Sequence, residues 1–302
     1  MKVLVCDPAS SDALKFLNSN GIEVYFKPEI NAADLLSEVV SVDALMIRSR
    51  TKITREVIER GKNLNVIARV GSGFDNIDIS ACREKGIAVI NAPDANSQSV
   101  AELTVCLIIS LLRKTTAAFF SMKNGKWLKN EIWGFELFGR TVGILGYGFV
   151  GKKVADLLKA FNCELLIYSL EFSNCTLTEL FSKSDIITIH VSLTDKTKGL
   201  VNRKLLAKMK KTAYLINSSR GGVIVEDDLY HVLSLGKIAG AALDVFWQEP
   251  LAENSRWRKL ENVILSPHLG AATADALDRA SMTIADDLVR IKNNKKPKFQ
   301  VL

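Results

Sequence analysis

The sequence predicts an α/β protein made of two doubly wound parallel-sheet domains. Three observations lead there. Short β-rich runs alternate with helical patterns from Val3 to Ile90. A long apolar helical stretch follows, and a second alternating series opens at Thr141 with a glycine-rich turn. Such alternation is the mark of βα units wound around a parallel sheet. A chain of 302 residues is also long enough for two domains.

In the first series the β-rich runs are Val3–Cys6, Glu23–Phe26, Ala44–Ile47, Val66–Val70 and Ala88–Ile90. Helical patterns lie between them at Asp12–Asn20, Ala32–Val40, Arg55–Arg60 and Ile79–Lys85. One long helix is expected over Ser99–Met122, polar at its edges and apolar through the middle. The strands of the second series read TVGILG, ELLIYS, DIITIHV, AYLINS, IAGAALDVF and NVILSPH. A last helix, Thr273–Lys292, is expected to cross back to the first domain. The predicted division is therefore 1–97 with 273–302 for one domain and 98–272 for the other.

Composition excludes several classes. Apolar residues make up 48% and charged residues 24%, the balance of an ordinary globular chain. A net charge of +7 suits an anionic small substrate or simple solubility, whereas nucleic-acid binding calls for clustered basic residues. The one dense basic run, Lys295, Lys296 and Lys298, reads as a solvated tail. The five cysteines include no CxxC pair, so buried reduced thiols are expected and no metal site. MKVLVCDP reads as a first strand, and Leu103–Leu112 is too short to span a bilayer. A cytoplasmic protein with no membrane partner is expected.

GILGYGFVGKKV sets Gly146, Gly148 and Gly151 in GxGxxG spacing between a strand and a helix. The first glycine permits a tight turn, the second lets backbone approach a pyrophosphate, and the third lets helix and strand pack closely. Within six alternating strands this predicts a dinucleotide site. An acidic residue usually ends the second strand to hold the ribose hydroxyls. Here that position is Ser169, with Glu171 two residues on, so the choice between NAD and NADP is less sharply marked.

Ligands of such folds bind at the carboxyl ends of the strands. Arg220 follows the fourth strand of the second series, Asp244 ends the fifth with Glu249 in the loop beyond, and His268 ends the sixth. Taken singly these read as a surface arginine, a loop glutamate and a capping histidine. Together they supply what oxidation of a 2-hydroxy acid needs. An imidazole near neutral pKa takes the hydroxyl proton. A carboxylate holds the imidazole, and a guanidinium clamps the substrate carboxylate. His190 reads as structural or cofactor-facing, and His231 as a surface residue. In the first domain, Arg48, Ser49 and Arg50 follow one strand and Gly71, Ser72 and Gly73 follow another. Arg48 and Arg50 would share a face if the strand continued. A glycine-rich turn can point N–H groups at an anion, although a solvated strand exit is an equal reading.

RSRTKIT, RVGSGFDNID, NSQSVAEL, SMKNGKW, GILGYGFVG, NSSRGG, GAALDVF and SPHLGA occur in the order found in the D-isomer-specific 2-hydroxyacid dehydrogenases. The chain resembles that family over nearly its whole length. The resemblance implies a flavodoxin-like substrate domain and a Rossmann cofactor domain, with the active site in the cleft. It implies an Arg220–Glu249–His268 catalytic set. It also implies cofactor contacts at Ser72, Phe149, Val150, Ser218, Asp244 and Gly270, beside Gly146, Gly148, Gly151, Ser169, Val191, Ser219, Arg220 and His268. NAD is the expected cofactor, with NADP the lesser alternative. The likeness to phosphoglycerate-type members implies that Arg48, Arg50 and Lys129 hold a substrate phosphate. It implies oxidation of D-3-phosphoglycerate to 3-phosphohydroxypyruvate, the opening step of serine synthesis. Reduction of hydroxypyruvate, glyoxylate or another 2-oxo acid is the nearer alternative, and a non-enzymatic NAD(H)-sensing corepressor the distant one. Ser169 and Ser192 depart from the residues usual at their places. The long members' C-terminal regulatory domain is expected to be lacking. A homodimer is implied, with the apolar Ser99–Met122 helix and the segment around Trp127 as candidate contact.

Overall fold

The computed structural model describes residues 1–302 and falls into two compact units, Met1–Ser97 with Ala271–Leu302, and Gln98–Gly270. In the first unit β1 (Lys2–Val5), α1 (Ser11–Ser19), β2 (Glu23–Phe26), α2 (Ala32–Glu38), β3 (Ala44–Ile47), α3 (Arg55–Arg60), β4 (Val66–Arg69), α4 (Ile79–Lys85) and β5 (Ala88–Asn91) alternate strictly. The strands pair in parallel in the order β2-β1-β3-β4-β5. Helices cover both faces, which is why β3 reads as the unbroken apolar run ALMI and is buried throughout. Leu4, Leu45, Ile67 and Val89 pack with Leu35, Val57, Ile58 and Cys82 on one side. Val3, Ala44 and Met46 pack on the other with Leu17 and with Ile284 and Leu288 of the terminal helix Ala274–Lys292. Thr273 caps that helix by accepting the Ala276 N–H.

The loops at the carboxyl ends of these strands are held by a buried acid. Asp7, just after β1, is 1% exposed. Its carboxylate accepts the Arg48 N–H at 2.6 Å and the Arg50 Nε–H at 2.9 Å. The same guanidinium donates to the Ile30, Cys6 and Pro28 carbonyls. β3 ends at Ile47, so Arg48 and Arg50 do not continue a strand face as the sequence suggested. Arg50 is instead a strut joining three loops.

The second unit begins with α5 (Ser97–Arg113) and α6 (Thr115–Lys123). The single helix expected over Ser99–Met122 is thus two, meeting at 69° around Lys114, which lies at φ 51°. The cause is a competing hydrogen bond. The Leu112 carbonyl, which a continuing helix would use, accepts the Phe135 N–H at 2.9 Å. Gly134 lies against that carbonyl so closely that a Cβ would stand 2.5 Å from it. No single helix is long and apolar enough to cross a membrane. Beyond these, β6 (Thr141–Leu145), α7 (Phe149–Lys159), β7 (Glu164–Tyr168), α8 (Leu177–Lys183), β8 (Ile186–Ile189), α9 (Arg203–Leu206), β9 (Tyr214–Asn217), α10 (Glu226–Ser234), β10 (Gly240–Leu243) and β11 (Val263–Leu265) build a parallel sheet in the order β11-β10-β9-β8-β6-β7. No strand lies outside β7, where a Rossmann sheet of order 3-2-1-4-5-6 would carry one. Asn174 closes that edge instead: its Oδ1 accepts the Ile167 N–H at 2.7 Å and its Nδ2–H donates to the Leu165 carbonyl. Among the cysteines, only Cys6 and Cys82 are buried, with burial raising their thiols to about 12 and about 11; Cys106 is exposed.

Arg50→Ala is expected to lower the unfolding free energy by about 2–4 kcal/mol, because it strips the buried Asp7 carboxylate of its counter-charge. Equilibrium urea unfolding checks this. An unchanged midpoint would show that the strut is dispensable.

Candidate active site

β9, β10 and β11 lie side by side, so their carboxyl ends bring three loops together. The first loop is shaped by Asn217, which is fully buried. Its Oδ1 accepts the Ser219 N–H and hydroxyl, at 3.1 and 2.8 Å, and its Nδ2–H donates to the Arg220 carbonyl. A strand that ends Asn-Ser-Ser-Arg therefore turns back on its own side chain and presents Arg220 in extended backbone. Ser218 meets Thr104 at 3.0 Å. The Thr104 hydroxyl proton goes to the Val100 carbonyl, so Ser218 is the donor in that contact.

The second loop carries Glu249. Its Oε1 accepts the Phe246 N–H at 2.9 Å, and its Oε2 lies 2.7 Å from His268 Nδ1. Burial opposes ionisation of Glu249. The His268 hydrogen bond, the Phe246 N–H and the charges of His268 and Arg220 outweigh it and hold the carboxyl below its ordinary range. Trp247 fastens this loop, stacking on the buried Trp257 at 5.3 Å and donating to the Ile224 carbonyl. At Gly221 a Cβ would come within 2.2 Å of the Phe246 carbonyl, so the Arg220 and Glu249 loops touch backbone to backbone.

The third loop holds His268 at φ 56°, a left-handed conformation uncommon for a side-chain-bearing residue. It is stabilised from outside. The buried Asp244 carboxylate accepts the Leu269 and Gly270 N–H groups, each at 2.8 Å. With Nδ1 turned to the Glu249 carboxylate, Nδ1 carries the proton and Nε2 is the free base. The Arg220, Glu249 and His268 that the sequence singled out are thus assembled within one unit.

The glycine fingerprint has the geometry of a phosphate cradle. At Gly151 a Cβ would sit 2.1 Å from the Gly146 carbonyl, and Gly146 itself has φ 99° against the His190 backbone. At Gly148 a Cβ would meet nothing within 4 Å. That open space stands over the first turn of α7, whose N-cap Gly148 offers no side-chain hydrogen bond. The N–H groups of Phe149 and Val150 therefore have no cap, and the residues present fit a pyrophosphate. Val191 packs against Gly146. His190 bonds Thr188 at 2.9 Å, and burial pushes its pKa down to about 3, so it is neutral at physiological pH.

Several expected site residues have partners within the protein. The Asp244 carboxylate and Gly270 are engaged with one another, so they brace the His268 loop and leave no carboxylate oxygen free of a backbone partner. The Ser169 hydroxyl donates to the Phe172 carbonyl and accepts its N–H, closing a turn. Arg50 is spent on Asp7 and three carbonyls, whereas no hydrogen bond or ion pair engages the Arg48 guanidinium. Ser49 is exposed. Gly71 has φ 138° with the Arg69 guanidinium against it, and Asn91 and Asn96 hold Ser72 through its carbonyl and hydroxyl, Gly73 following. Lys129 lines an apolar hollow with Phe119, Met122 and Trp127, which none of Arg220, Glu249 and His268 borders. Sequence reasoning missed Asp7, just after β1, and Thr104, within α5, whose partners are distant in the chain, and Asn217, which ends β9 and folds back on its own loop.

Residues 105–270 match the family described as D-isomer specific 2-hydroxyacid dehydrogenase, NAD binding domain. The chain belongs to this family, and its second unit is an NAD-binding domain. It is 41% identical over 303 residues to the D-3-phosphoglycerate dehydrogenase of Methanocaldococcus jannaschii, covering 96% of this chain and 57% of that protein. It thus spans little more than half the length of that relative. It is 39% identical over 299 residues to the hydroxypyruvate reductase of Thermotoga maritima, covering 96% and 97%. The NAD⁺-bound 3-phosphoglycerate dehydrogenase of Entamoeba histolytica superposes with a TM-score of 0.85 at 28% identity, covering 100% of this chain and 98% of that one.

The two fingerprint glycines separate folding from binding. Gly151→Ala is expected to lose about 1–3 kcal/mol of stability through overpacking. Gly148→Ala should unfold like the parent yet bind NADH roughly tenfold more weakly, as one phosphate hydrogen bond is lost. Thermal unfolding beside NADH fluorescence titration tests the contrast; equal behaviour of the two variants would contradict it.

Proposed function

We propose that the protein is an NAD-dependent D-2-hydroxyacid dehydrogenase that uses Arg220, Glu249 and His268. The observation that carries this is the 2.7 Å contact between His268 Nδ1 and Glu249, in loops packed on that of Arg220. Bound NAD supplies a hydride acceptor. His268 Nε2 takes the proton of the substrate hydroxyl as the C2 hydride leaves, and returns it to the carbonyl oxygen in the reverse direction. Glu249 keeps the proton on Nδ1 and stabilises the imidazolium that forms. Arg220 clamps the substrate carboxylate and polarises the C2 oxygen. The assembled set argues against a binding-only corepressor, for which no base is needed. Arg48, Ser49, Gly71, Ser72 and Gly73 are proposed to contact substrate, and Phe149, Val150, Val191, Ser218 and Ser219 to contact the cofactor.

The preferred substrate is D-3-phosphoglycerate, supported by the name of the Methanocaldococcus relative and by the unengaged Arg48 guanidinium. A second reading, hydroxypyruvate reduction, gains from Arg50, whose donors go to protein acceptors rather than to a phosphate. NADH oxidation with 3-phosphohydroxypyruvate and hydroxypyruvate, compared by kcat/KM, decides between them. Activity on no 2-oxo acid would overturn the enzyme reading altogether. We also infer a homodimer. Phe119, Phe120, Trp127 and Trp133 are 69%, 67%, 75% and 73% exposed on one short stretch, more aromatic surface than a monomer ordinarily shows. Light scattering tests it.

His268→Ala should lower kcat by at least about 10²-fold with NADH affinity nearly unchanged. Near-parental turnover would remove His268 from the reaction. Glu249→Gln should move the imidazole limb of the kcat/KM profile to lower pH, since the imidazolium loses its charged partner. A profile that stays in place would break the pairing.

A further inference from the structure

The turn after β7 faces the position where, in this fold, the adenosine ribose binds. Its serines are occupied. The Ser169 hydroxyl serves Phe172 in both directions, and the Ser173 hydroxyl donates to the Ser169 carbonyl while accepting its N–H. Glu171 is the only ionisable side chain of this turn, and it is 77% exposed. Opposite it stands a lysine from another element. Lys152, one turn into α7, brings Nζ to 3.7 Å from the Glu171 carboxylate and to 5.9 Å from the ring centroid of Tyr147, a residue of the glycine fingerprint itself. The Tyr147 and Phe172 rings lie 5.5 Å apart and join the two sides of the group.

Two opposite charges therefore meet at the place where coenzymes are told apart. An acid there accepts the ribose hydroxyls of NAD and repels a 2′-phosphate, whereas a cation pairs with that phosphate. An ion pair this exposed is weak, so neither partner is locked to the other and a ligand can recruit either. We propose that Lys152 and Glu171 form the coenzyme selector of this protein: Glu171 excludes the 2′-phosphate of NADP, and Lys152 is a latent ligand for it. This inference rests on the NAD-binding reading and adds the residues that set its selectivity. It predicts that one neutralising change opens the site to NADP, because the cation is already in place. It also gives Ser169 a different part from the expected one, since its hydroxyl shapes the turn that carries Glu171.

The test is direct binding of NADH and NADPH, without substrate, by calorimetry on the full chain, for the parent, Glu171→Gln, and the double variant Glu171→Gln with Lys152→Ala. The parent should prefer NADH. Glu171→Gln should tighten NADPH by about tenfold or more, the worth of a charge-assisted phosphate contact freed from repulsion. The double variant should lose that gain. The gain should also shrink as salt is raised. An unchanged NADPH affinity in Glu171→Gln, or a gain that survives loss of Lys152, would overturn the selector while NADH binding leaves the cofactor site intact. Failure of every form to bind NADH would overturn the cofactor site and the selector with it.

Discussion

The carboxylate of Asp244 sits fully buried at the end of β10 and accepts two backbone N–H groups from the loop beyond β11. His268 stands immediately before those two residues, in a backbone conformation that its own chain does not favour. Were the acid absent, two N–H groups would be left without partners and the loop would have no reason to hold that turn. The tautomer of His268, and with it the identity of the free nitrogen, depends on the imidazole reaching Glu249. A buried acid that itself makes no contact with the imidazole thus decides which ring nitrogen is left free.

The same device recurs elsewhere in the chain. Asp7 gathers the loop after β3 by accepting the Arg48 N–H and the Arg50 guanidinium. Asp287, fully buried in the terminal helix, accepts the Lys298 and Phe299 N–H groups and ties down the final segment. Asn217 does the same work with an amide. Parallel strands end with backbone groups that the ladder no longer serves, and the loops that follow carry function. Short buried acids and amides satisfy those groups while keeping the loops rigid. The family resemblance implied a cofactor contact for Asp244 and a phosphate contact for Arg50; in the folded chain both side chains hold loops.

The coenzyme turn follows a different logic. There the hydroxyls are consumed in making the turn, and the charged groups stand in solvent. Exposed pairs contribute little to stability. In the role proposed for this pair its value is selectivity, because exposed partners are free to exchange when a ligand arrives. A rigid buried acid behind the His268 loop and a loose exposed pair beside the turn after β7 are built for different tasks, one fixing geometry and the other free to exchange partners.

Much of this was legible in the sequence. Apolar runs of strand length separated by helical patterns set the alternation, because a parallel sheet buried on both faces tolerates little else. The GxGxxG spacing located the cradle, since the packing at Gly146 and Gly151 admits no side chain. Arg220, Glu249 and His268 could be picked out because each follows the carboxyl end of a strand, where ligands of such folds bind. The break at Lys114 was not legible, for it arises from Phe135 taking the Leu112 carbonyl some twenty residues away. Nor was the engagement of Arg50, whose acceptors come from residues 6, 7, 28 and 30. The approach of Lys152 to Glu171 was equally hidden, since it joins a helix to a turn beyond the next strand. Periodicity and glycine spacing are local and can be read along a chain. The partner that a polar side chain finds is set by which strand ends the sheet order brings together, and only the folded chain decides that.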